Sequence, residues 1–440
     1  MRICGILAVS VALGSAALAG GLDLPEPLSD ADFAPVDPAE AALGQLLFYD
    51  PILSGNRTIS CATCHHPKFA TGDGVSLGLG EGGVGLGPDR RADPDNPPEA
   101  LVPRNAPPLF NMGAHAVTVL FADGRIEVDR TRPSGFRTPM EDEMVAGFDS
   151  LLSAQTMFPV LSDDEMAGHY SENDVSRAVR RGLITGPDGA WDILSRRVAE
   201  IPAYAEGFEA VYPEIAAGRD IGFTDISNAI AAFVAAEWRS DTAPFDAVLR
   251  GEATFEGAAA RGATLFYGEA GCATCHSGPL LSDFDFHAMG APQLGPGKAL
   301  SFESHVRDEG RFRVTGRTDD AYAFRTPPLR NVAETGPWGH AGGHDDLAGF
   351  VRDHADPEAV PAYAAVLPRD VPEADKLWRV RDDAAERGRI SEAAQGAGRS
   401  LSETDVADIV AFLETLTDPA ALKGRMGIPE TVPSGLPVDR

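Results

Sequence analysis

Two stretches of the chain carry the same helical pattern of hydrophobic positions. In residues 224–233, TDISNAIAAF, and 404–413, TDVADIVAFL, apolar side chains recur every three or four residues after a Thr-Asp start. This spacing is typical of an amphipathic helix that buries one face. Because the pattern occurs twice, it suggests two related helical domains that meet near residue 240.

A second helix also occurs twice, ahead of each of these stretches. Residues 41–49, AALGQLLFY, and 259–267, AARGATLFY, place a glycine and a Leu-Phe-Tyr triplet in register. Asp37 and Pro38 supply an N-cap and a proline at the first helical position, which predicts where the first copy begins. Strand patterns are sparse, so we predict a mainly α fold of two domains related by internal duplication, with few short strands and long irregular loops.

The tract of residues 71–108 is rich in glycine and proline and lacks the apolar periodicity of a helix or strand. We therefore predict an irregular segment. It has two interpretations, a flexible surface loop or the rim of a pocket.

Composition narrows the class of protein. The chain has 440 residues and a formal charge of −29, which disfavours nucleic acid as a partner because a phosphate backbone needs a basic surface. Residues 1–19 combine a positive start, an apolar run and an Ala-Leu-Ala cleavage site, so we expect a signal peptide, export to the periplasm and no membrane span in the mature chain. We place an N-terminal domain at 20–240, a C-terminal domain at 241–425 and a tail at 426–440.

The cysteines are concentrated in two identical pentapeptides. One cysteine lies in the predicted signal peptide, and the other four belong to two copies of Cys-Ala-Thr-Cys-His: Cys61, Cys64, Cys272 and Cys275. Exported proteins can form disulfides, but this arrangement leaves no further cysteine for one.

The pentapeptides have the pattern of covalent haem attachment. Cysteines three positions apart lie about one helical turn apart, so both thiols can add to the vinyl groups of one porphyrin while the next histidine faces the iron. A zinc site or a redox dithiol is the alternative for a single match, whereas two matches in an exported chain favour two haem c groups. His65 and His276 are then the proximal ligands, and the sixth position decides between electron transfer at a filled iron and chemistry at an open one.

The remaining motifs resemble those of the bacterial dihaem cytochrome c peroxidases and their MauG-type relatives, over nearly all of the mature chain. They occur in the family order: 43-LGQLLFYDPILS-54, both CATCH sites, 103-PRNAPPLFN-111, 121-FADGR-125, 154-AQTMFPVLSDDEM-166, 310-GRFRVTG-316, 324-FRTPPLRN-331 and 335-TGPWGHAG-342. The resemblance implies two cytochrome c-like domains, with a peroxidatic, high-spin haem in the first and an electron-transfer, low-spin haem in the second.

The resemblance also implies a reaction pocket at the first haem, formed by Gln155, Pro159 and Glu165, which match the family spacing. Cleavage of a peroxide O–O bond needs a group that takes a proton from one oxygen and delivers it to the other, and a carboxylate such as Glu165 can do both. By the same resemblance, Gln155 would orient the peroxide and Pro159 would limit the space beside the iron.

We predict that the first haem is five-coordinate. Classical peroxidases of the family carry a blocking histidine in the loop after this haem, whereas residues 67–114 contain none. His66 adjoins the proximal ligand and projects away from the same iron, so we interpret it as a structural or surface histidine.

For the second haem, the family spacing places the distal ligand at His354, fourteen residues after His340. Relatives usually have methionine or tyrosine there, and methionine raises the reduction potential, so two histidines should lower it. His344, His287 and Met289 are the alternative ligands.

The family also holds a calcium ion between the haems, which implies oxygen ligands from Asn105, Thr335 and Pro337. In the motif FADGR, Ala122 stands where the family usually has a tryptophan between the haems. Trp338 either replaces that tryptophan in the electron route or is an ordinary core residue.

These features predict a periplasmic dihaem peroxidase that reduces hydrogen peroxide at the first haem, with electrons passing through the second from a small donor cytochrome c or cupredoxin. The alternative is a MauG-type enzyme that uses peroxide to oxidise tryptophan or tyrosine residues of a partner protein. A pure electron-transfer cytochrome is less favoured, because Gln155, Pro159 and Glu165 would then have no shared purpose.

Overall fold

The computed structural model of the chain describes residues 21–295, 307–356, 365–368, 370–371, 381–394 and 398–440. The predicted signal peptide, residues 1–19, lies outside the described residues. Within them, none of the helices is both long enough and apolar enough to pass through a bilayer.

Helices dominate the fold. Those in the described part of the chain are α1 (Pro38–Tyr49), α2 (Cys61–Cys64), α3 (Leu151–Thr156), α4 (Asp174–Arg180), α5 (Ala190–Ala199), α6 (Pro202–Val211), α7 (Pro213–Ala216), α8 (Phe223–Glu237), α9 (Pro244–Leu249), α10 (Gly257–Tyr267), α11 (Phe312–Thr315), α12 (Leu347–Ala355), α13 (Ala384–Ala393), α14 (Glu403–Glu414) and α15 (Pro419–Lys423). The four helices predicted from periodicity are confirmed as α1, α8, α10 and α14. The Asp37 side chain accepts a hydrogen bond from the Ala39 amide at 2.8 Å, so the predicted start of α1 is also confirmed.

The strands are short and antiparallel. They are β1 (Gly83–Val84), β2 (Arg91–Ala92), β3 (Val119–Leu120), β4 (Ile126–Val128), β5 (Phe136–Arg137), β6 (Phe286–His287) and β7 (Phe324–Arg325). β1 pairs with β2, β4 lies between β3 and β5, and β6 pairs with β7. Strands of two or three residues cannot form a core layer, so the helices carry the packing.

Two helix pairs have the same construction. α1 packs on α8, and α10 packs on α14. At the contact, Gly44 faces the backbone carbonyl of Ala229, and Gly262 faces that of Asp408, so closely that a Cβ at either glycine would overlap the carbonyl group. The repeated glycine therefore sets the close approach of each helix pair.

Each helix pair is buried in its own hydrophobic core. Phe48 of α1 lies with its ring centroid 5.2 Å from that of Phe233 of α8. Phe266 of α10 lies 4.9 Å from Phe412 of α14. The first core extends over the N-terminal half of the chain, and the second is formed by residues between Phe245 and Leu416.

Each half of the chain contains an asparagine in the left-handed conformation that hydrogen-bonds to residues just after a helix. Asn111 and Asn331 have φ angles of 58° and 62°. Asn111 exchanges two hydrogen bonds with the Ser240 backbone, at 2.8 and 2.7 Å. Asn331 accepts from the Asp418 amide at 2.7 Å and donates to the Ser240 hydroxyl at 3.1 Å. Both asparagines thus fix the chain just beyond the second helix of a pair.

The tail, residues 426–440, returns to the N-terminal half. The Ser434 hydroxyl donates to Asp50 at 2.6 Å, and Val432 is buried in the first core. Near the end of the chain, Asp439 accepts a hydrogen bond from the Thr63 hydroxyl at 2.6 Å. The last residues therefore contact the first CATCH segment directly.

The glycine-rich tract is largely buried from Val75 to Gly82, so it is not a flexible surface loop. The buried Arg90 guanidinium donates to the carbonyls of Leu79, Gly80 and Gly85 at 2.6 to 2.8 Å and holds the tract together. Apart from the β1–β2 hairpin and a turn it is irregular, as its composition predicts.

Candidate functional site

The first CATCH segment forms the short helix α2 and presents its histidine at the end. The Ser60 amide donates to the Thr63 hydroxyl at 3.0 Å at the start of α2. After the helix, His65 Nδ1 lies 3.0 Å from the carbonyl oxygen of Thr71. With Nδ1 used in this way, Nε2 is the nitrogen left to ligate a metal, which is how protein partners orient ligating histidines.

The second CATCH segment repeats this arrangement on a single 3-10 turn, Cys272–Thr274. His276 Nδ1 lies 3.0 Å from the carbonyl oxygen of Leu281. Burial lowers the pKa of both His65 and His276, so the imidazoles are neutral and can donate a lone pair at neutral pH.

Within the described residues the four CATCH cysteines form no disulfide. Burial raises the pKa of Cys61 and of Cys64 to about 12, and that of Cys272 to about 11. A redox dithiol works through a thiolate of lowered pKa, so these surroundings do not favour that alternative.

A second test of the fit to haem is the spacing of His276 and His354. Their ring centroids lie 6.2 Å apart. Two imidazoles on opposite sides of one metal ion, each with a metal–nitrogen bond of about 2 Å, have centroids roughly 6 Å apart. Burial, with contributions from His276 and His344, lowers the pKa of His354 to about 4, which keeps it neutral as a ligand must be. The residues present therefore fit an iron held between these two rings.

Each alternative histidine has a carboxylate partner. His344 Nε2 lies 2.9 Å from an Asp353 carboxylate oxygen, and His287 Nε2 lies 2.9 Å from one of Asp283. Such a contact is also found at ligating histidines, so the choice of His354 rests on the spacing of its ring from that of His276. Met289 is half-buried after β6.

Gln155, Pro159 and Glu165 lie on three successive turns and are all half-buried. Gln155 lies near the end of α3, Pro159 begins a 3-10 turn (Pro159–Leu161), and Glu165 lies in a π-helical turn (Asp163–Ala167). Irregular π turns are frequent at functional sites. Gly80 of the glycine-rich tract packs directly on the backbone of Glu165, so the tract forms one wall beside this turn.

Electrostatics connect Glu165 to the first haem segment. Desolvation lowers the pKa of His65, while the Thr71 carbonyl and the Glu165 carboxylate act in the opposite direction. Desolvation also lowers the pKa of Arg125, with Asp123 and Glu165 acting in the opposite direction. The structure thus brings Glu165, Arg125 and His65 into one electrostatic environment.

The contact between the two halves contains a buried ionic cluster that the sequence reasoning missed. Arg104 forms two hydrogen bonds to Asp308, at 2.8 and 2.7 Å, and an ion pair with Asp123 at 2.7 Å. Although burial acts in the opposite direction, the Arg104 charge holds the pKa of Asp308 well below its usual range. His340 lies beside Asp308 and stacks on Phe324 at a centroid distance of 3.8 Å. Arg104 stands in a motif that the resemblance used, but nothing local in the sequence indicates its partner.

The predicted calcium ligands lie on segments that meet. The Asn105 amide donates to the His340 carbonyl at 2.9 Å, and the Asn105 side chain donates to the Val75 carbonyl at 2.8 Å. Thr335 donates to the Val332 carbonyl at 3.3 Å and retains oxygen lone pairs. His340 lies three residues after Pro337, so its contact with Asn105 brings residues 335–340 next to that asparagine. The calcium ion itself remains a prediction.

Ala122 and Trp338 are the residues considered for the electron route. The Ala122 carbonyl accepts a hydrogen bond from the Arg325 amide at 2.8 Å. The half-buried Trp338 packs against the second core and donates to the Val332 carbonyl at 2.8 Å, and its part in electron transfer stays a prediction. His66 is buried, and its Nδ1 accepts from the Lys68 amide at 3.1 Å, so its role in this structure is structural.

Comparison with known proteins agrees with this fold. The model of the di-haem cytochrome c peroxidase family matches residues 38–254. The methylamine utilization protein MauG of Paracoccus denitrificans is 30% identical over 409 residues, which cover 87% of this chain and 90% of that protein. The cytochrome c551 peroxidase of Pseudomonas aeruginosa is 25% identical, with 90% of this chain and 83% of that protein covered.

A solved structure leads to the same class. The crystal structure of a MauG-like protein associated with microbial copper homeostasis matches with a TM-score of 0.56 and 26% identity, covering 90% of this chain and 94% of that one. The chain belongs to the di-haem cytochrome c peroxidase family. It is therefore an oxidoreductase that acts on peroxide, as the sequence predicts.

Proposed function

We propose that this protein is a periplasmic dihaem c-type peroxidase that reduces hydrogen peroxide at an open N-terminal haem. The observation that carries the proposal is that Gln155, Pro159 and Glu165 lie half-buried on three successive turns, with Gly80 of the glycine-rich tract packed on the backbone of Glu165. Cys61, Cys64 and His65 would hold this haem. When bound, the haem would supply an iron centre that reacts with peroxide and takes up the oxidising equivalents that peroxide provides.

The Glu165 carboxylate would perform the proton transfer. One of its oxygens takes the proton from one peroxide oxygen and returns it to the other, which leaves as water. Gln155 would donate a hydrogen bond that orients the peroxide, and Pro159 would narrow the pocket. The desolvated Arg125 guanidinium lies in the same electrostatic environment.

Cys272, Cys275 and His276 would hold the second haem, with His354 on its other side. The 6.2 Å spacing of the two imidazole rings supports this ligand pair. Ligation by two histidines gives a low-spin, electron-transfer centre of lower potential than a histidine–methionine pair. Two electrons from a small donor cytochrome c or cupredoxin would pass through this centre for each peroxide reduced.

The proposal also includes two domains and a signal peptide. The N-terminal domain would span 20–240 and the C-terminal domain 241–425, related by internal duplication, after cleavage of the signal peptide at 1–19. The repeated glycine contacts of the two helix pairs support the duplication. A Ca²⁺ ion between the haems would take oxygens from Asn105, Thr335 and Pro337.

A second candidate is a MauG-type reaction, in which peroxide provides the oxidising equivalents that modify tryptophan or tyrosine residues of a partner protein. The observation in its favour is that a MauG protein is 30% identical to this chain, against 25% for the cytochrome c551 peroxidase. Steady-state oxidation of a reduced small cytochrome c by the purified enzyme and peroxide is expected for the first reaction. Negligible oxidation of such donors, with covalent change in a partner protein, would instead identify the second.

The acid–base role of Glu165 is tested by Glu165→Gln. We expect peroxide turnover to fall about 10²- to 10⁴-fold, the range typical of a lost general acid–base group. Asp163→Asn is the matched control, since Asp163 is an exposed carboxylate in the same turn, and it should retain wild-type turnover. Full activity of Glu165→Gln would show that another group moves the proton.

The open first haem is tested by electron paramagnetic resonance of the fully oxidised protein. One high-spin and one low-spin ferric signal are expected. A purely low-spin spectrum would contradict a five-coordinate first haem, whatever the effect of Glu165→Gln.

A further inference from the structure

Arg325 differs from the other arginines at the contact between the two halves. Arg104 pairs with Asp123 and Asp308, and Arg311 lies 2.8 Å from a Glu127 oxygen. Among the described residues, no carboxylate forms an ion pair with Arg325. Its charge is therefore not balanced by the protein around it.

The guanidinium of Arg325 is held by neutral carbonyls. Nε donates to the Phe121 carbonyl at 3.2 Å, and Nη1 donates to the Thr326 carbonyl at 3.2 Å. These contacts use two of the five N–H groups of the guanidinium. The rest of the planar fork is left for a further acceptor.

Desolvation makes this arrangement costly. The Arg325 side chain is half-buried, and desolvation lowers its pKa to about 10; no acidic group of the described residues acts in the opposite direction. A cation withdrawn from water is normally paired or coordinated, because the loss of hydration is large. An anion of non-protein origin would remove this cost.

The position of Arg325 indicates which anion is within reach. Arg325 lies on β7, whose partner β6 follows the loop that carries the Leu281 contact of His276. Its guanidinium lies 5.9 Å from the centre of the Phe284 ring in that loop. On the other side, its backbone amide is bonded to Ala122 of the first half. Arg325 therefore lies between the segment that follows the second CATCH site and the FADGR segment of the first domain.

We propose that Arg325 binds a carboxylate side group of one of the two porphyrins and so holds a haem edge at the contact between the domains. A guanidinium fork suits a planar carboxylate through two parallel hydrogen bonds. The proposal rests on the proposed haem sites, and it does not depend on the reaction with peroxide.

The inference has a direct consequence for reduction potential. Reduction adds an electron to the iron, so a nearby positive charge stabilises the reduced state and raises the potential. Removing the Arg325 charge should lower the midpoint potential of the haem whose carboxylate it binds. An arginine that joins only backbone carbonyls and lies far from both haems would affect stability and leave both potentials unchanged. Direct bonding to a porphyrin carboxylate is distinguished from a nearby charge by the carboxylate bands of the infrared spectrum.

The test compares Arg325→Gln with Arg317→Gln in the holoprotein, by spectroelectrochemical titration of both haems. Arg317 is the control because it lies in the same half of the chain and its side chain is 71% exposed. We expect Arg325→Gln to lower the midpoint potential of one haem and Arg317→Gln to shift neither. The haem that shifts is the one whose carboxylate Arg325 binds. Unchanged potentials in Arg325→Gln with both haems attached, or an equal shift in Arg317→Gln, would overturn the proposal.

A second variant covers the case in which Arg325→Gln does not accumulate with both haems. Arg325→Lys keeps the charge but loses the planar fork. It should alter the carboxylate bands of the redox-induced infrared difference spectrum while the potential stays closer to that of the wild type. Carboxylate bands identical to those of the wild type would overturn the proposal. Failure of peroxide turnover in the wild type would affect the proposed function alone, since neither measurement uses peroxide.

Discussion

The close contact of the two helix pairs gives a quantitative prediction for Gly44→Ala and Gly262→Ala. Helix propensity alone predicts that each change stabilises the protein by about 0.5–1 kcal/mol, because alanine is the better helix former. The tertiary structure predicts the opposite sign. A Cβ at Gly44 would overlap the Ala229 carbonyl of α8, and one at Gly262 would overlap the Asp408 carbonyl of α14.

The magnitude follows from what must move. The overlapped atoms belong to the backbone of the partner helix, so no side-chain rotation relieves the overlap, and the helices must separate by about 1 Å. That separation loosens the packing of Phe48 on Phe233 in one pair and of Phe266 on Phe412 in the other. Overpacking of this kind typically costs about 1–3 kcal/mol and sometimes more. After the gain in helix propensity is subtracted, we expect a net loss of about 2 kcal/mol, or roughly 4–8 °C in Tm for a domain of this size.

Gly388→Ala provides the matched control. Gly388 lies inside α13, and nothing lies within 4 Å of a Cβ built there. This variant should be as stable as the wild type or more stable by up to about 1 kcal/mol. Thermal unfolding followed by far-ultraviolet circular dichroism, with the haem absorbance recorded in parallel, measures all three variants. A Tm of Gly44→Ala or Gly262→Ala equal to or above that of Gly388→Ala would refute the packing argument.

Two further predictions concern stability. Burial raises the pKa of Asp73 from 3.8 to about 7, so the folded state favours the protonated carboxyl group. The resulting contribution to folding stability is complete below about pH 4 and is lost as the pH rises through 7. The loss amounts to at most about 4 kcal/mol. We therefore expect the stability of Asp73→Asn, measured by denaturant titration relative to the wild type, to be higher at pH 8 than at pH 4.5. The same stability difference at both pH values would count against a raised pKa of Asp73. Deleting residues 426–440 exposes the core around Val432 and removes the Thr63 contact, so the N-terminal half should unfold at lower temperature while the C-terminal half is little changed. Unfolding of both halves at unchanged temperature would show that the tail does not stabilise this domain.

Helices and haem segments were accessible to sequence reasoning because their signals are local. The three- and four-residue spacing in α8 and α14 depends only on neighbours along one helix. The turns of the two CATCH segments are also local, and each brings its histidine back to a carbonyl five or six residues later. Glu165 and His354 needed more than local pattern, and family spacing identified them as candidates.

The sequence by itself therefore determined the four repeated helices, the two CATCH segments and the family to which the chain belongs. Only the tertiary structure decided how those helices pair, that Arg104 pairs with Asp308, 204 positions away, and that Arg325 has no acidic partner among the described residues. The physical reason is range. A periodic pattern is read from residues within one or two turns, whereas the balance of a buried charge depends on every segment that folds against it.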